Sequence, residues 1–443
     1  MKVLKIVCVI FCICLLGGCN NSSNIFSQGS YQSDSMEGME GSSPDLSYEI
    51  IPQVPNVLVN QVGFPCSGIK VAIFRGDHLS DSFVLIDSFT KRIVYTGTIG
   101  SKIYNEELKE YISYGSFSEF EVEGNYYIQT DMIGQSYPFS IGKNLYQDIF
   151  TTTCKGFKDS FTTRKGQTYE KNSIMEDSKV IANLLLAFEL YPDLFGDDLD
   201  ISESDNGIPD ILDEIKYKID WFQTIQTHQM SGNDLVSYAG ILAKFSQIYK
   251  LYDNSYSKQC LKSAESAYQL AETVELKNDS LRYFASVELY KATTYNKYHI
   301  VAKGYINREN SLDNESIFKL FGDFGYLSGK NGVDTALCGK IMGYLMDRAE
   351  KIASKSSKNG YFVCSYEEEE ILEEMQYLAI IDYVITNHEY VTVQENHLHF
   401  LLGRNPQGVS FLEEGDFPIT QQVNLSAQLI FMMSEILESE IKE

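Results

Sequence analysis

The chain has 443 residues and a formal charge of −25, with 61 acidic against 36 basic side chains. A protein this acidic repels nucleic acid and anionic lipid head groups, which argues against nucleic-acid partners and leaves neutral ligands such as sugars open. Beyond the first 19 residues the cysteines are Cys66, Cys154, Cys260, Cys338 and Cys364. They are scattered, odd in number and free of C-x-x-C spacing, so buried thiols are expected rather than a disulfide framework or structural zinc site, and no cofactor or metal-ligand motif stands out.

Lys2 and Lys5 precede an unbroken apolar run over 6–16. That is the length of a signal-peptide core and too short to span a bilayer as a stable helix. The run stops at Leu16-Gly17-Gly18-Cys19, which resembles the lipobox of bacterial lipoproteins: small residues admit the peptidase, and the Cys thiol accepts the lipid. Residues 1–18 are therefore expected to be a signal peptide and Cys19 the lipidated first residue of an extracytoplasmic, membrane-anchored protein. Removing Lys2 and Lys5 takes the charge from −25 to −27. Several acyl chains on one Cys anchor stably where a single chain holds weakly. Residues 19–52 comprise that Cys and a stretch rich in Ser, Asn, Gly and acidic residues. It has too little apolar surface to offset its ordering entropy and reads as a flexible tether.

About 390 residues remain, enough for two or three domains. Over 53–144 the segments 56–62, 69–74, 83–87, 93–97, 117–123, 126–130 and 137–141 are rich in β-branched and aromatic residues, with Gly63, Gly76, Gly100, Gly124 and Gly134 at the bends. This predicts a β-sandwich of immunoglobulin type without a disulfide. From Leu145 to 443 the apolar period becomes helical. Ile181, Leu184, Leu185 and Phe188 share one face, as do Leu235, Tyr238, Ala239 and Leu242, and Leu429, Met432, Met433 and Ile436. Twelve helices are expected, starting near 145, 173, 208, 234, 255, 279, 296, 314, 334, 367, 390 and 421. The short turns between them favour antiparallel hairpins. Without a fixed repeat length, a regular solenoid is disfavoured against a closed ring.

Three stretches carry a resemblance. VLVNQVGF at 57–64, with GNYYI at 124–128 and SYPFSIG at 136–142, is similar to the immunoglobulin-like domain that precedes many family 9 glycoside hydrolases. LLLAFELYPD at 184–193, continuing through NGIPDILDEI at 206–215 to Asp220-Trp221, resembles the early helices of their catalytic domain. FLLGRNPQG at 400–408 resembles their Leu-Gly-Arg-Asn-Pro signature. The resemblance implies an (α/α)6 barrel behind the sandwich, and an inverting hydrolase of cellulose or other β-glucans. The barrel region, 145–443, is shorter than in typical members.

Inverting hydrolysis needs a carboxylate base to activate water and a protonated carboxyl for the leaving oxygen. Registered on the family pattern, the two Asp positions of the base segment fall on Gly166 and Tyr169, within RKGQTYEK at 164–171, and the Glu of the acid falls on Thr420. No catalytic residue is therefore assigned by the resemblance. The His-rich loop after Arg-Asn-Pro is absent, and the acidic run Glu367, Glu368, Glu369 and Glu370 stands where an aromatic groove segment is expected. Glu170 is the candidate substitute base, with Glu176 and Asp177 nearby, although those two also suit an acidic first helical turn. Asp210, Asp213 and Glu214 sit at a helix start behind Pro209, where capping is the simpler role. His397 and His399, two apart on a helix, point to different faces and disfavour a shared metal. Tyr169, Arg404 and Asn405 are candidate groove residues, although the motif at 404–405 equally suits a helix-terminating turn before Pro406, and Trp221 reads as core.

Three functions remain open: a lipoprotein that binds a β-glucan-like polysaccharide or scaffolds other surface proteins after loss of the catalytic carboxylates; an active glycoside hydrolase with relocated carboxylates; and a structural surface protein with a closed cleft.

Overall fold

The computed structural model describes residues 54–443 except 163–172, 200, 277, 309–315, 331, 386–389, 413–417 and 443. The expected signal peptide, Cys19 and the tether lie outside the described residues, as do Gly166, Tyr169 and Glu170. Among the described residues the first ten elements are strands: β1 (Val57–Leu58), β2 (Gly63–Phe64), β3 (Val71–Arg75), β4 (Ser82–Asp87), β5 (Ile93–Thr98), β6 (Ile103–Asn105), β7 (Glu110–Ser116), β8 (Gly124–Thr130), β9 (Gly134–Gln135) and β10 (Phe139–Ile141). They form two sheets, ordered β1-β3-β7-β6 and β2-β10-β8-β4-β5, with β9 on β8. All pairs are antiparallel except β2 with β10.

The alternation of each strand places its inward residues between the sheets. Ala72 and Phe74, Phe83 and Leu85, and Tyr126 and Ile128 belong to that core. Phe64 meets Phe117 and Phe139 edge to face, with ring centroids 5.3 and 5.5 Å apart. Residues 117–123, expected as a strand, are instead a turn and a loop, and β6 and β7 supply the pairing that the sequence did not signal. Ser113 and Gly115 dilute the apolar alternation of β7. Gly115 is required there, because a Cβ would lie 2.5 Å from Phe83 and 2.8 Å from Phe74. Phe117 and Phe120 read as strand because they are apolar plugs of the sandwich.

Twelve helices follow among the described residues: α1 (Leu145–Thr162), α2 (Ser173–Leu190), α3 (Asp210–Thr224), α4 (Gly232–Tyr249), α5 (Asn254–Ala271), α6 (Asp279–Thr293), α7 (Asn296–Ile306), α8 (Ile317–Leu327), α9 (Thr335–Lys358), α10 (Glu368–Ile385), α11 (Val391–Leu401) and α12 (Val423–Lys442). Their starts fall within a few residues of the expected ones. The even-numbered helices touch in order and close on themselves, α12 against α2, and the odd-numbered ones pack outside them, giving an (α/α)6 barrel. Burial separates the two layers. Inner α4 is buried almost all round, and Gly240 lets Phe284 of α6 approach to where a Cβ would be 2.7 Å away. Outer α5 buries one stripe, Ser257, Cys260, Ala264, Ala267, Tyr268 and Ala271. Because inner and outer helices alternate in direction, all inner N-termini lie at one end of the ring and all inner C-termini at the other. Inner helices α2 and α8, on opposite sides of the ring, also touch, so the ring is flattened. No helix among the described residues is long and apolar enough to cross a membrane.

The sandwich seats on the barrel through its first sheet. Leu58, Ile73 and Ile112 join the barrel's apolar core rather than the sandwich's own. The backbone N–H of Gln61 donates to Leu402 O at 2.8 Å, and Gln61 Nε2 to Gly408 O at 2.7 Å. Arg75 bonds Glu110 at 2.8 Å and Pro406 O at 3.0 Å, while the Tyr361 hydroxyl donates to the other oxygen of Glu110 at 2.6 Å. Gly360 is needed for this fit, since a Cβ there would stand 2.5 Å from Ile112.

Candidate ligand-binding site

Thr420, the residue registered on the family's acid, precedes α12 at the end of the ring that carries the inner N-termini. Thr420 lies in the short 3-10 turn Ile419–Gln421 before α12. Its hydroxyl donates to Leu412 O at 2.9 Å, and its backbone N–H bonds the same carbonyl at 3.2 Å. Thr420 is thus a non-ionising side chain already used to brace its own loop. Of the nearby carboxylates, Glu176 is exposed and paired with Lys179 at 3.3 Å. Asp177 is buried against Lys218 of α3 at 3.2 Å. Asp234 closes a capping box with Ser231 at the start of α4, and Asp279 pairs with Arg308. Each is explained by a helix start or an ion pair.

Arg404 and Asn405, expected to line a groove, are fully buried. Arg404 Nη2 donates to Asn396 Oδ1 at 2.7 Å and to its backbone oxygen at 3.2 Å, and the guanidinium lies 5.6 Å from the centre of the Phe362 ring. Burial pulls its pKa down to about 10. Asn405 Nδ2 donates to Phe400 O at 2.8 Å and Val409 O at 2.7 Å, which folds the loop that receives Gln61. Both side chains serve the turn and the sandwich seat, and neither is open to a ligand.

His397 and His399 do face different ways. His397 Nε2 accepts from Cys364 N–H at 2.8 Å while Nδ1 reaches Val393 O at 2.7 Å, an arrangement that requires the neutral ring. Burial lowers its pKa to about 4. His399 Nδ1 lies 3.1 Å from Asn60 Nδ2, and its ring packs on Phe64 at 4.9 Å. Burial, then the charge of Arg404, hold its pKa well below the ordinary value. Trp221 is half-buried against the barrel core with Lys218 5.1 Å over its ring. Asp210 accepts from Ser204, and Asp213 from Asn206 at 2.9 Å, so these carboxylates order the loop before α3. Glu370 and Glu374, facing Arg348 and Lys355 of α9, line a crevice of about 390 Å³ beside the acidic run. The five cysteines beyond the tether are free thiols, with Cys154, Cys260 and Cys364 buried.

Sequence reasoning missed the buried ion groups of the ring interior. Lys319 and Asp323 of α8 pair with each other, and Tyr283 donates to Asp323 at 2.9 Å. Lys244 pairs with Glu189. The available signal was a lysine inside an apolar helical stripe, as at Lys244 between Ala243 and Phe245.

Residues 53–135 match the family described as the cellulase N-terminal ig-like domain, and 223–415 match Glycosyl hydrolase family 9. Endoglucanase D of Acetivibrio thermocellus is 23% identical over 462 aligned positions, covering 80% of this chain and 72% of that protein. A cellodextrinase of Butyrivibrio fibrisolvens is 22% identical, covering 80% and 84%. Among solved structures, a metagenome-derived glycoside hydrolase family 9 endoglucanase superposes with a TM-score of 0.73 at 16% identity, over 86% of this chain and 98% of that one. A Bacteroides ovatus GH9 protein gives 0.72 at 15%, over 87% and 99%. These structures establish the shared fold.

Proposed function

This chain belongs to glycosyl hydrolase family 9, behind a cellulase-type Ig-like domain, and we propose that it is a membrane-tethered protein that binds a β-glucan-like polysaccharide without hydrolysing it. The observation that carries this is Thr420, whose hydroxyl is bound to Leu412 O where the family's acid would stand. General acid and general base each supply about 10²–10⁴-fold in rate. The hydroxyl of Thr is far too weak an acid to replace a carboxyl, and the base positions, Gly166 and Tyr169, have none either. At neutral pH a tyrosine phenol, with an ordinary pKa of about 10, is protonated and a poor base. Tethering through Cys19 would hold the binding domain at the cell surface.

The names of the relatives, an endoglucanase and a cellodextrinase, favour a second reading in which hydrolysis persists with Glu170 as a relocated base. The contact of α2 with α8 across the ring favours a third, in which the cleft is closed and the role is structural. One experiment separates them. Release of reducing ends from soluble and amorphous β-glucans is measured for the wild type and for Glu170→Gln, alongside retardation in a glucan affinity gel. No release with clear retardation is expected. Robust release, lost in Glu170→Gln, would establish the hydrolase; neither release nor retardation would favour the structural role.

A further inference from the structure

Glu189, Gln247, Lys291 and Ser328, at the C-terminal ends of α2, α4, α6 and α8, line a cavity of about 270 Å³ together with Tyr290 and Lys330. It lies at the end of the ring opposite Thr420. An ion network backs it. Glu189 accepts from Lys244 and, at 3.2 Å, from Lys291, which also donates to Ser328 Oγ at 3.2 Å. Glu288, fully buried, stands 3.9 Å from both ammonium groups and accepts from Gln247 Nε2 at 3.0 Å. Glu189, Gln247, Lys291 and Ser328 are thus fixed in place before any ligand arrives.

We propose that this cavity binds a small neutral polyol, a single sugar ring. The volume is below the roughly 300–1,000 Å³ of sites for drug-sized ligands, which suits one ring and not a chain. The walls alternate an acceptor at Glu189, donors at Lys291 and Lys330, and groups that do both at Ser328 and Gln247. A sugar hydroxyl, which both donates and accepts, satisfies such a set, and Tyr290 adds an aromatic wall. A bare anion would meet the Glu189 carboxylate and four helix C-termini, each carrying about half a negative charge. A bare metal cation would meet Lys291 and Lys330. The proposal does not rest on the polysaccharide reading of the opposite end.

The test is calorimetric titration of the full chain with D-glucose, D-galactose and N-acetylglucosamine, and separately with inorganic phosphate and glycine. At least one hexose should bind, with affinity reduced about tenfold or more in Ser328→Phe, which fills the cavity. Lys330→Trp, on the exposed rim, should do the same without touching the core, and guards against a Ser328→Phe chain that fails to fold. No hexose binding by the wild type, tighter binding of phosphate or glycine, or wild-type affinity in both variants would overturn the proposal. Retardation in the glucan gel reads the opposite end of the ring. Its absence in the wild type would remove the polysaccharide reading while leaving the hexose titration to decide this one.

Discussion

Asn60 of the sandwich holds His399 of the barrel: its Nδ2 lies 3.1 Å from His399 Nδ1 and 2.6 Å from Gly63 O. The Asn60 Oδ1 accepts the backbone N–H groups of Val62 and Gly63, each at 3.0 Å. One side chain therefore folds the turn between β1 and β2 and clasps the two halves together.

Replacing Asn60 by Ala would leave those two N–H groups and the His399 nitrogen without partners. Each unsatisfied buried group costs about 1–3 kcal/mol. Asn60→Ala is expected to lower the unfolding free energy obtained from urea titration by an amount in that range or above, and the midpoint with it. A midpoint unchanged from the wild type would show that the clasp is decorative.

Cutting the sandwich away tests the whole seat. A chain beginning at Leu145 would expose the apolar surface that Leu58, Ile73 and Ile112 cover, along with Arg404, which is fully buried in the intact protein. It should melt at lower temperature and aggregate more readily than a chain beginning at Gln53. Identical melting curves for the two would mean that the halves are independent.

Stability should fall on acidification in two stages. His397 is held neutral, with its pKa depressed from 6.5 to about 4. Between those values the unfolded chain binds more protons, so stability present above pH 6.5 is lost as pH falls towards 4, by roughly 3 kcal/mol at most. His399 is depressed in the same direction. Burial alone would raise the Glu189 carboxyl, but the ammonium groups of Lys244 and Lys291 outweigh it and hold the pKa at about 2, against 4.5 ordinarily. Its contribution is present above pH 4.5 and lost on falling towards 2. Urea unfolding at pH 7 and pH 5 should show the first stage, with a smaller difference in His397→Gln. An equal pH slope in that variant would remove His397 as the cause.

The lipobox-like Leu16-Gly17-Gly18-Cys19 predicts lipid attachment at Cys19. Cells fed labelled palmitate should label the wild type but not Cys19→Ser, and the variant should leave the membrane fraction or stay unprocessed. Unchanged labelling of Cys19→Ser would sink the anchor.

The helices were legible because each buries a stripe or a full face, and burial writes a 3.6-residue period into the sequence. The strands were legible where the inward positions are bulky and alternate cleanly, as at Phe83 and Leu85. They were illegible where one strand must make room: Gly115 is small because phenylalanines from β3 and β4 occupy its space, and that demand comes from residues more than 30 positions away. The site divided similarly. That Thr420 carries no carboxyl can be read directly from the residue type, and the structure adds only what its hydroxyl bonds. Arg404 and Asn405 could not be placed from the motif. A positive side chain beside an Asn suits a ligand groove as well as a turn, and only the sandwich lying over them decides for the turn.

That placement changes what the Leu-Gly-Arg-Asn-Pro pattern can be used for. In this protein its backbone and side chains form a socket: Gly403 sits at φ +117° with Gln61 where a Cβ would be, Asn405 ties the loop, and Pro406 offers its carbonyl to Arg75. A socket of this kind constrains sequence through assembly, and it would do so equally in a protein that cuts glycosidic bonds and in one that does not. A match over 400–408 is therefore a marker of architecture, and genome surveys that score it as a sign of cellulose degradation would overcount degraders wherever the carboxylates have gone and the socket has stayed.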